Sequence, residues 1–468
     1  MAGLIKRRKS VTRDLTVGSP MKLIVSFMIP LFLGILFQQL YSMADTMVVG
    51  KFLGVNALAG VGSTGSINFL ILGFCMGICQ GCAIPISQKF GEGDYDGLRR
   101  YVGNIIWVSG VFAVVMTAAV CLLCRNILLW MDTPEEVFSY AFDYIFVIFL
   151  GIPVTFIYNT LSGLIRALGD SKSPVYFLVI ASVLNIVLDI VFIVVFHMGV
   201  AGAAWATVIS QFVSGMLCFF YIIKKFEILH LKRGDLTPSW YYIRNLLWMS
   251  IPMGLQYSIT AIGSTILQVA VNALGAESVA SMTAAFKVQI LMVSPFDAMG
   301  TTMATYGGQN VGAGKLRRID EGLKSCSILG IGYSVLACIL LYFFADKIVL
   351  IFLDAAETEI IAQATHFLFI NSLLYIPLAF VNILRLLIQG LGFSKLAMFA
   401  GVFEMAARTF VALVFVPKFG FNAVCFANPA AWVMADVFLF PAYFYVRKTL
   451  HDRIGLIPES QRDEVCIG

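Results

Sequence analysis

Long stretches of this 468-residue chain contain no Asp, Glu, Lys or Arg, and this feature constrains the fold more than any other. Examples are residues 52–88, 101–124, 190–223 and 245–276. About 20 apolar residues cross a bilayer as a helix, whereas the strands of a membrane barrel alternate apolar and polar residues, which these stretches do not. Charged residues make up 13% of the chain, and a soluble domain has about a quarter. We therefore predict an all-α integral membrane protein.

Glycine and proline residues divide the apolar stretches into twelve predicted transmembrane helices. Their approximate bounds are 22–49, 56–88, 101–124, 138–162, 174–197, 200–224, 244–272, 278–308, 322–345, 363–388, 396–417 and 422–446. The first run of 22 uncharged residues is longer than the core of a signal peptide, so we expect no cleavage there.

The basic residues predict the orientation of these helices. Of the 32 Lys and Arg residues, 25 fall on one side of the membrane, which the positive-inside rule makes the cytoplasmic side. The other side carries Lys51, Arg125, Lys347 and Lys418, and the helices themselves contain Lys287, Arg385 and Arg408. We expect a multi-pass protein of the cell inner membrane or plasma membrane with both termini in the cytoplasm.

The chain contains an internal repeat. "SFMIPLFLGILFQQL" around Pro30 matches "WMSIPMGLQYSI" around Pro252, and a Q-x-x-G-x-G motif begins at both Gln88 and Gln309. Matching segments stay 218 to 224 residues apart along the chain, which indicates a duplication of six helices. Six helices per half give parallel repeats that enclose a cavity between two lobes. The predicted divisions are an N-terminal lobe (1–225), a cytoplasmic linker (226–243), a C-terminal lobe (244–450) and a cytoplasmic tail (451–468).

The ten cysteines and four histidines do not form a metal-binding pattern. Cys121 and Cys124 make a single C-x-x-C without a second pair, and the histidines are scattered. A cysteine inside a helix commonly acts as a small apolar residue. The net charge of +5 reflects the cytoplasmic loops and implies no nucleic-acid partner. We expect no cofactor and no metal other than a coupling sodium ion.

Together these features resemble the multidrug and toxic compound extrusion (MATE) family. The shared features are two six-helix halves, the two Q-x-x-G-x-G loops, the turn "RALGDSKSP" and the segment "AGAAWATVISQ". The resemblance implies export of drugs or organic cations driven by inward flow of sodium ions or protons. It also implies a cation site in the N-terminal lobe, at Asp45, Asn185, Asp189 and Thr207.

The depths of these residues support that site independently. Asp45, Asp189 and Thr207 each lie about 8 to 12 Å below the outer end of their helix at 1.5 Å per residue. Asn185 precedes Asp189 by one helical turn and projects from the same face. Their oxygen atoms suit a small hard cation, and a buried carboxylate can instead hold a proton. The alternative is that Asp45 lies in the interfacial region and is hydrated.

Other charges inside the predicted helices have less certain roles. Glu404 and Arg408 are spaced for an i, i+4 pair, either a structural ion pair or a relay that exchanges partners. Lys287 could repel or bind an anion in the cavity, or pair with an acid across the lobe. Gln38, Gln39 and Tyr41 are polar groups near the expected substrate cavity. The seventh helix has Thr260 where one branch of the family has an acid, so a second ion site is doubtful.

Three functions remain in competition at this point. A cation-coupled exporter of a lipophilic, cationic small molecule is favoured, and the 39 Phe and 19 Met residues suit an adaptable pocket. A flippase for lipid-linked saccharides would need several basic residues in its cavity. A membrane-embedded transferase would need a catalytic motif, and none is present in the sequence. We expect a monomer in contact with membrane lipid.

Overall fold

The computed structural model describes residues 12–351 and 357–455, and no strand occurs among them. The helices are α1 (Pro20–Leu53), α2 (Val55–Ser63), α3 (Gly65–Glu92), α4 (Tyr95–Trp130), α5 (Glu135–Leu150), α6 (Ile152–Ala167), α7 (Lys172–Ile190), α8 (Gly199–Lys225), α9 (Trp240–Asn272), α10 (Ala276–Gly312), α11 (Leu316–Val349), α12 (Thr358–Leu373), α13 (Tyr375–Gly390), α14 (Ser394–Phe410), α15 (Val416–Phe419) and α16 (Phe421–Gly455). Single π-helical turns extend α7 over Val191–Val195 and join α14 to α15 over Val411–Phe415.

The predicted fold class is confirmed: twelve transmembrane helices form two pseudo-symmetric lobes of six. Within the described ranges, nine helices are long and apolar enough to span a membrane, and two bent pairs bring the number to 11. The twelfth is α9, which is 33 residues long but contains more polar residues. The exact division of the chain into lobes, linker and tail stays a prediction, and most of the predicted tail lies outside the described residues.

Several predicted helices are broken where the sequence analysis made them continuous. The predicted helix 138–162 is α5 and α6, which meet at a bend of 48°, and the predicted helix 363–388 is α12 and α13, which meet at 57°. Pro153 and Pro377 lie just after these breaks. A proline removes a backbone hydrogen bond and clashes with the carbonyl four residues earlier, which lies at the end of the preceding helix in both cases.

The duplication is visible in the backbone conformation. Glycines with positive φ occur in pairs that are 221 or 223 residues apart: Gly54 and Gly275, Gly93 and Gly314, Gly169 and Gly392, and Gly199 and Gly420. The two π-helical turns also occupy matching places, after α7 and after α14. Each half therefore repeats the same sequence of helices, tight turns and local distortions.

The predicted linker is packed against the N-terminal lobe. It contains two short 3-10 turns, Glu227–Leu229 and Arg233–Leu236. The indole Nε1 of Trp107 donates to the carbonyl of Leu236 at 2.8 Å, and Gly103 leaves room for the backbone of Asp235. This segment therefore follows the surface of α4 closely.

The two lobes meet where α3 packs against α9. Gly73, Gly77 and Gly81 are spaced four residues apart in "GFCMGICQG" and face α9. A Cβ added at Gly81 would lie 2.4 Å from the Cα of Ser250, and one at Gly77 would lie 2.6 Å from the carbonyl oxygen of Met253. Small residues at this spacing let membrane helices approach backbone to backbone. We call this contact the inter-lobe seam.

Helix α1 belongs partly to each lobe. Its first half contributes Leu23, Phe27 and Leu31 to a buried cluster made mainly of C-terminal-lobe residues. Val49, near its other end, packs into a cluster of the N-terminal lobe. Pro30 lies inside this helix, between the two contact regions. A change in the packing of one half of α1 can therefore be transmitted to the other lobe.

The seam predicts a strong effect of small substitutions. Gly81→Ala and Gly77→Ala should each lower the thermal unfolding temperature in detergent, because overpacking against the backbone of α9 costs about 1 to 3 kcal/mol. Gly110→Ala is the matched control, since no atom lies within 4 Å of a Cβ added there. An unchanged unfolding temperature for Gly81→Ala would show that α3 and α9 separate without cost.

Candidate functional site

Four residues of the N-terminal lobe come together in the outer half of the bundle. Asp45 is on α1, Asn185 and Asp189 are one turn apart on α7, and Thr207 is on α8. The carboxyl groups of Asp45 and Asp189 lie close enough to interact directly. The amide of Asn185 donates to the hydroxyl of Thr207 at 3.3 Å. Asp45, Asn185 and Asp189 are buried.

Most oxygen acceptors in this cluster have no hydrogen-bond donor. Among buried side-chain atoms without a partner are Oδ1 of Asp45, both carboxylate oxygens of Asp189 and Oδ1 of Asn185. Neither acid forms an ion pair with any described residue. Buried polar atoms are normally satisfied, and two adjacent carboxylates repel each other when both are charged. The chemistry of this group therefore fits a bound cation or a proton.

Two tyrosines complete the surroundings of the acids. Tyr41 on α1 and Tyr144 on α5 are both in electrostatic range of Asp45 and Asp189. Tyr41 also lines a cavity of about 20 Å³ next to Asn185 and Thr207. That volume suffices for about one water molecule or a small ion, since a water needs roughly 10 to 15 Å³ by this measure. The sequence analysis missed Tyr144, which lies in an apolar run without a distinguishing pattern.

The other residues predicted for the substrate cavity are less concentrated. Gln38 is exposed and Gln39 is partly buried on α1, while Lys287 is exposed on α10. Of the four residues predicted there, only Tyr41 lines the small cavity of the N-terminal lobe. A substrate role for the other three stays a prediction.

In the C-terminal lobe, the predicted pair of Glu404 and Arg408 forms, but a third residue is the closer partner. Arg408 lies 3.6 Å from Glu404, whereas Arg385 on α13 donates to the same carboxylate at 2.9 Å. Arg408 in addition donates through Nε to the side-chain oxygen of Asn428 at 3.1 Å. The i, i+4 rule identifies partners only along one helix, so Arg385 could not be assigned by that rule.

Two acids near this cluster were also missed. Asp436 on α16 is buried and lies in electrostatic range of Glu404 and Arg385. Asp297 on α10 is exposed, yet it lies in range of Arg385 and of Tyr257, whose hydroxyl bonds to Gln80 of the other lobe. Asp297 therefore faces the space between the lobes. Each acid is an isolated charge in an apolar run, the signal that identified Asp45.

The repeated Q-x-x-G-x-G motif joins the lobes at one end of the bundle. The amide of Gln88 in α3 donates to the carbonyl of Gly390 at the end of α13, at 2.9 Å. The amide of Gln309 in α10 donates to the carbonyl of Ala167 at the end of α6, also at 2.9 Å. The last carbonyls of a helix have no partner within it, so each lobe caps a helix of the other. We call this pair the reciprocal glutamine bonds.

Further contacts close the same end, which carries most of the basic loops and is called here the basic end. The backbone N–H of Leu15 donates to the side-chain oxygen of Gln309 at 2.9 Å, which places the N-terminal segment between the lobes. A Cβ at Gly91 would lie 1.9 Å from the carbonyl oxygen of Gln309, so the motif glycines allow backbone contact. Hydrogen bonds between the lobes extend from here up to Gln80 and Tyr257.

Metal-ligating side chains are not clustered in the described part of the chain. No group of three His, Cys, Asp or Glu residues there could hold a metal ion. Nine cysteines are described and all are free; the tenth, Cys466, lies outside the described residues.

The chain matches a protein-family model twice. The MatE model covers residues 30–191 and 252–414, one match in each half. A probable multidrug resistance protein, YpnP of Bacillus subtilis, is 33% identical over 307 residues, which are 65% of this chain and 68% of that protein. YoeA of the same organism, also a probable multidrug resistance protein, is 29% identical over 72% of this chain and 74% of its own length. An FAD transporter of Shewanella oneidensis is 20% identical over 77% of this chain and 80% of that protein.

Solved structures share the fold over nearly the whole chain. An outward-facing multidrug resistance MATE transporter of the MOP superfamily superposes with a TM-score of 0.87 at 22% identity, covering 95% of this chain and 98% of the other. A MOP superfamily transporter from Pyrococcus furiosus, described as having a binding pocket of reverse polarity, gives 0.83 at 23% identity over 96% and 98%.

The charge cluster of the C-terminal lobe predicts a pattern of rescue. Glu404→Gln should destabilise the protein by roughly 3 to 5 kcal/mol, because it leaves buried arginines without their acid. Adding Arg385→Met should restore more stability than adding Arg408→Met, since Arg385 is the closer partner and Arg408 retains Asn428. Thermal unfolding in detergent measures all three variants. Glu321→Gln, in an exposed pair with Arg317, is the control and should change little. Equal rescue by both arginine substitutions would contradict this assignment.

The reciprocal glutamine bonds predict a change in lobe spacing. In the Gln88→Leu, Gln309→Leu variant, the basic end should separate, because both helix-capping bonds between the lobes are lost. Spin labels at Asp96→Cys and Arg317→Cys, one on each lobe, should report a longer distance component by pulsed electron resonance. Gln268→Leu is the control, because its amide bonds to Asn272 within one lobe. Identical distance distributions in the variant and the control would rule out a gating role.

Proposed function

The chain belongs to the MatE family of multidrug efflux transporters, and on that premise we propose that it is a secondary active antiporter. It exports small organic compounds in exchange for sodium ions or protons. The observation that carries this proposal is the group of buried, donor-free oxygens at Asp45, Asn185 and Asp189. Such a group is costly unless a positive charge enters it. A site that requires a cation is what a cation-driven transporter needs.

The coupling ion acts through the position of α1. Without a cation, the charges of Asp45 and Asp189 repel each other, which pushes the outer half of α1 away from α7. A bound sodium ion or proton removes that repulsion. Since the first half of α1 packs in the C-terminal-lobe cluster, the change alters the relation between the lobes. Only such a difference in stability between two conformations lets an ion gradient drive transport.

Both coupling ions suit the site chemically. Sodium is a hard cation that prefers oxygen ligands, and the cluster offers carboxylate, amide and hydroxyl oxygens. A proton would bind to one carboxylate and leave it as a donor to the other. The role of coupling ion therefore belongs to one of these two, and no other metal or cofactor is proposed.

The basic end lies on the cytoplasmic side in this proposal. The positive-inside rule supports that assignment and puts both termini in the cytoplasm of a cell that holds the protein in its inner or plasma membrane. The reciprocal glutamine bonds and the segment at Leu15 then close the route to the cytoplasm. The structure accordingly represents the state in which substrate would leave or the ion would enter from outside.

A cationic, lipophilic compound is the proposed substrate class. The carboxylate of Asp297 is exposed to the space between the lobes, where it can attract a positive group. Arg385 and Arg408 are engaged by Glu404 and Asn428, so they are not available for the diphosphate of a lipid-linked saccharide. This favours an exporter over a flippase. The matched relatives are transporters, and we propose no catalytic activity, no nucleic-acid partner and a monomer surrounded by lipid.

Substitution of the acids tests the proposal. Asp45→Asn and Asp189→Asn should each reduce gradient-driven dye transport in proteoliposomes to the level of empty liposomes, because the site can no longer change its charge with the ion. Membrane insertion and thermal stability should be retained. Sodium and proton gradients are imposed separately to identify the ion. Asp143→Asn, an exposed acid on α5, is the matched control.

The outcome for the double variant is decisive. Normal coupled transport by the Asp45→Asn, Asp189→Asn protein, with the gradient measured in the same vesicles, would exclude this cluster as the coupling site.

A further inference from the structure

A second polar cavity lies between the lobes, next to the reciprocal glutamine bonds. Its volume is about 50 Å³, and α3, α6, α9, α10 and α13 form its walls. The charged residue that lines it is Arg166, in the last turn of α6. The proposed ion site does not use this cavity.

The side chain of Arg166 turns into the seam. One guanidinium nitrogen donates to the hydroxyl of Ser162, one turn earlier in the helix. The other terminal nitrogen lies about where a Cβ at Gly163 would be only 4.0 Å away, and α3 is opposite. A basic residue at a helix end usually extends to water or to the last carbonyls of its helix. Arg166 instead points back between the lobes.

Arg166 has no acidic partner in the parts of the chain that the structure describes. It is absent from the ion pairs there, whereas Arg385, Arg408 and Arg447 each have an acid within 4.0 Å. No carboxylate lines the cavity. A positive charge between membrane helices is costly unless an opposite charge accompanies it. The cavity therefore has the electrostatic character of an anion site.

Both lobes contribute polar groups to the same space. Gln80 and Ser87 come from α3, and Thr301 and Thr305 come from α10. A ligand here would touch the two lobes at once, so it would stabilise the conformation in which the basic end is closed.

We propose that this cavity binds an anionic group, a carboxylate or a phosphate, through charge-assisted hydrogen bonds from Arg166. The volume exceeds that of one water, about 10 to 15 Å³ by this measure, but cannot hold the body of a drug-sized compound. Only the anionic group would enter. Resting on the proposed function, this makes the transported compound amphoteric, because Asp297, one turn from Thr301 on α10, attracts its cationic part.

A matched pair of dyes tests the proposal. Rhodamine B carries a carboxylate and a delocalised cation, and its ethyl ester keeps the cation but lacks the carboxylate. Transport of both is measured in proteoliposomes that contain the full-length protein. The wild type should prefer rhodamine B in kcat/KM by about tenfold, the order expected for a hydrogen bond to a charged group. Arg166→Gln should abolish that preference by lowering the value for rhodamine B, and Arg166→Lys should keep most of it.

A second measurement distinguishes a group on the substrate from a free anion. Inorganic phosphate is added to the detergent-purified protein at constant ionic strength, and thermal unfolding is recorded for the wild type, Arg166→Gln and the surface control Arg317→Gln. Stabilisation that is lost only in Arg166→Gln supports an anion site. If the dye preference is also present, the substrate supplies the anion; if it is absent, a free anion occupies the site.

The outcomes also separate this inference from the proposed function. Failure of Asp45→Asn to affect gradient-driven transport would count against the coupling mechanism, whereas phosphate stabilisation would be unaffected by that result. The anion site is overturned if Arg166→Gln lowers the transport of both dyes equally and phosphate stabilises all three proteins to the same extent or none of them.

Discussion

Inside a membrane no water is available to polar side chains, and this constraint determines where every buried polar group of the protein lies. Most of these groups have partners: Gln88 reaches the carbonyl of Gly390, and Arg385 reaches Glu404. The acids at Asp45 and Asp189 do not, and neither does the cation at Arg166. The two unsatisfied places have opposite sign and lie in different settings. Since such groups are costly, each indicates a mobile partner that the transport cycle supplies.

The helix α1 connects the first of these places to the seam. Asp45 is 14 residues beyond Leu31, which packs with the C-terminal lobe, and Pro30 weakens the helix hydrogen bonding near that contact. A helix held by one lobe at each end cannot adjust at one end alone. The charge state of a single carboxylate pair can therefore influence how the basic end is closed, about 20 Å away at 1.5 Å per residue.

Much of this arrangement is readable from the sequence, and the rest depends on packing. The long apolar runs and the repeat predicted the helices and lobes, and depth along the helices brought Asp45, Asn185, Asp189 and Thr207 together correctly. The bends after α5 and α12 were missed although Pro153 and Pro377 signal them, and the glycines of "GFCMGICQG" predict a close helix contact. Arg385 as the partner of Glu404 was not predictable, because it follows from how α13 and α14 pack.

The two unsatisfied places also differ in what holds them. Asp45, Asp189 and Thr207 all belong to helices α1, α7 and α8, so the cation cluster can persist when the lobes move apart. The cavity at Arg166 has walls from α3 and α10 and exists only while the seam is closed. A cation that shifts α1 changes the stability of the closed seam and thereby the affinity of the Arg166 cavity for its anion. Linkage makes the effect mutual, so an anion bound at the seam must change the affinity for the cation by the same factor. This reciprocity provides a physical basis for exchange in which neither partner touches the other.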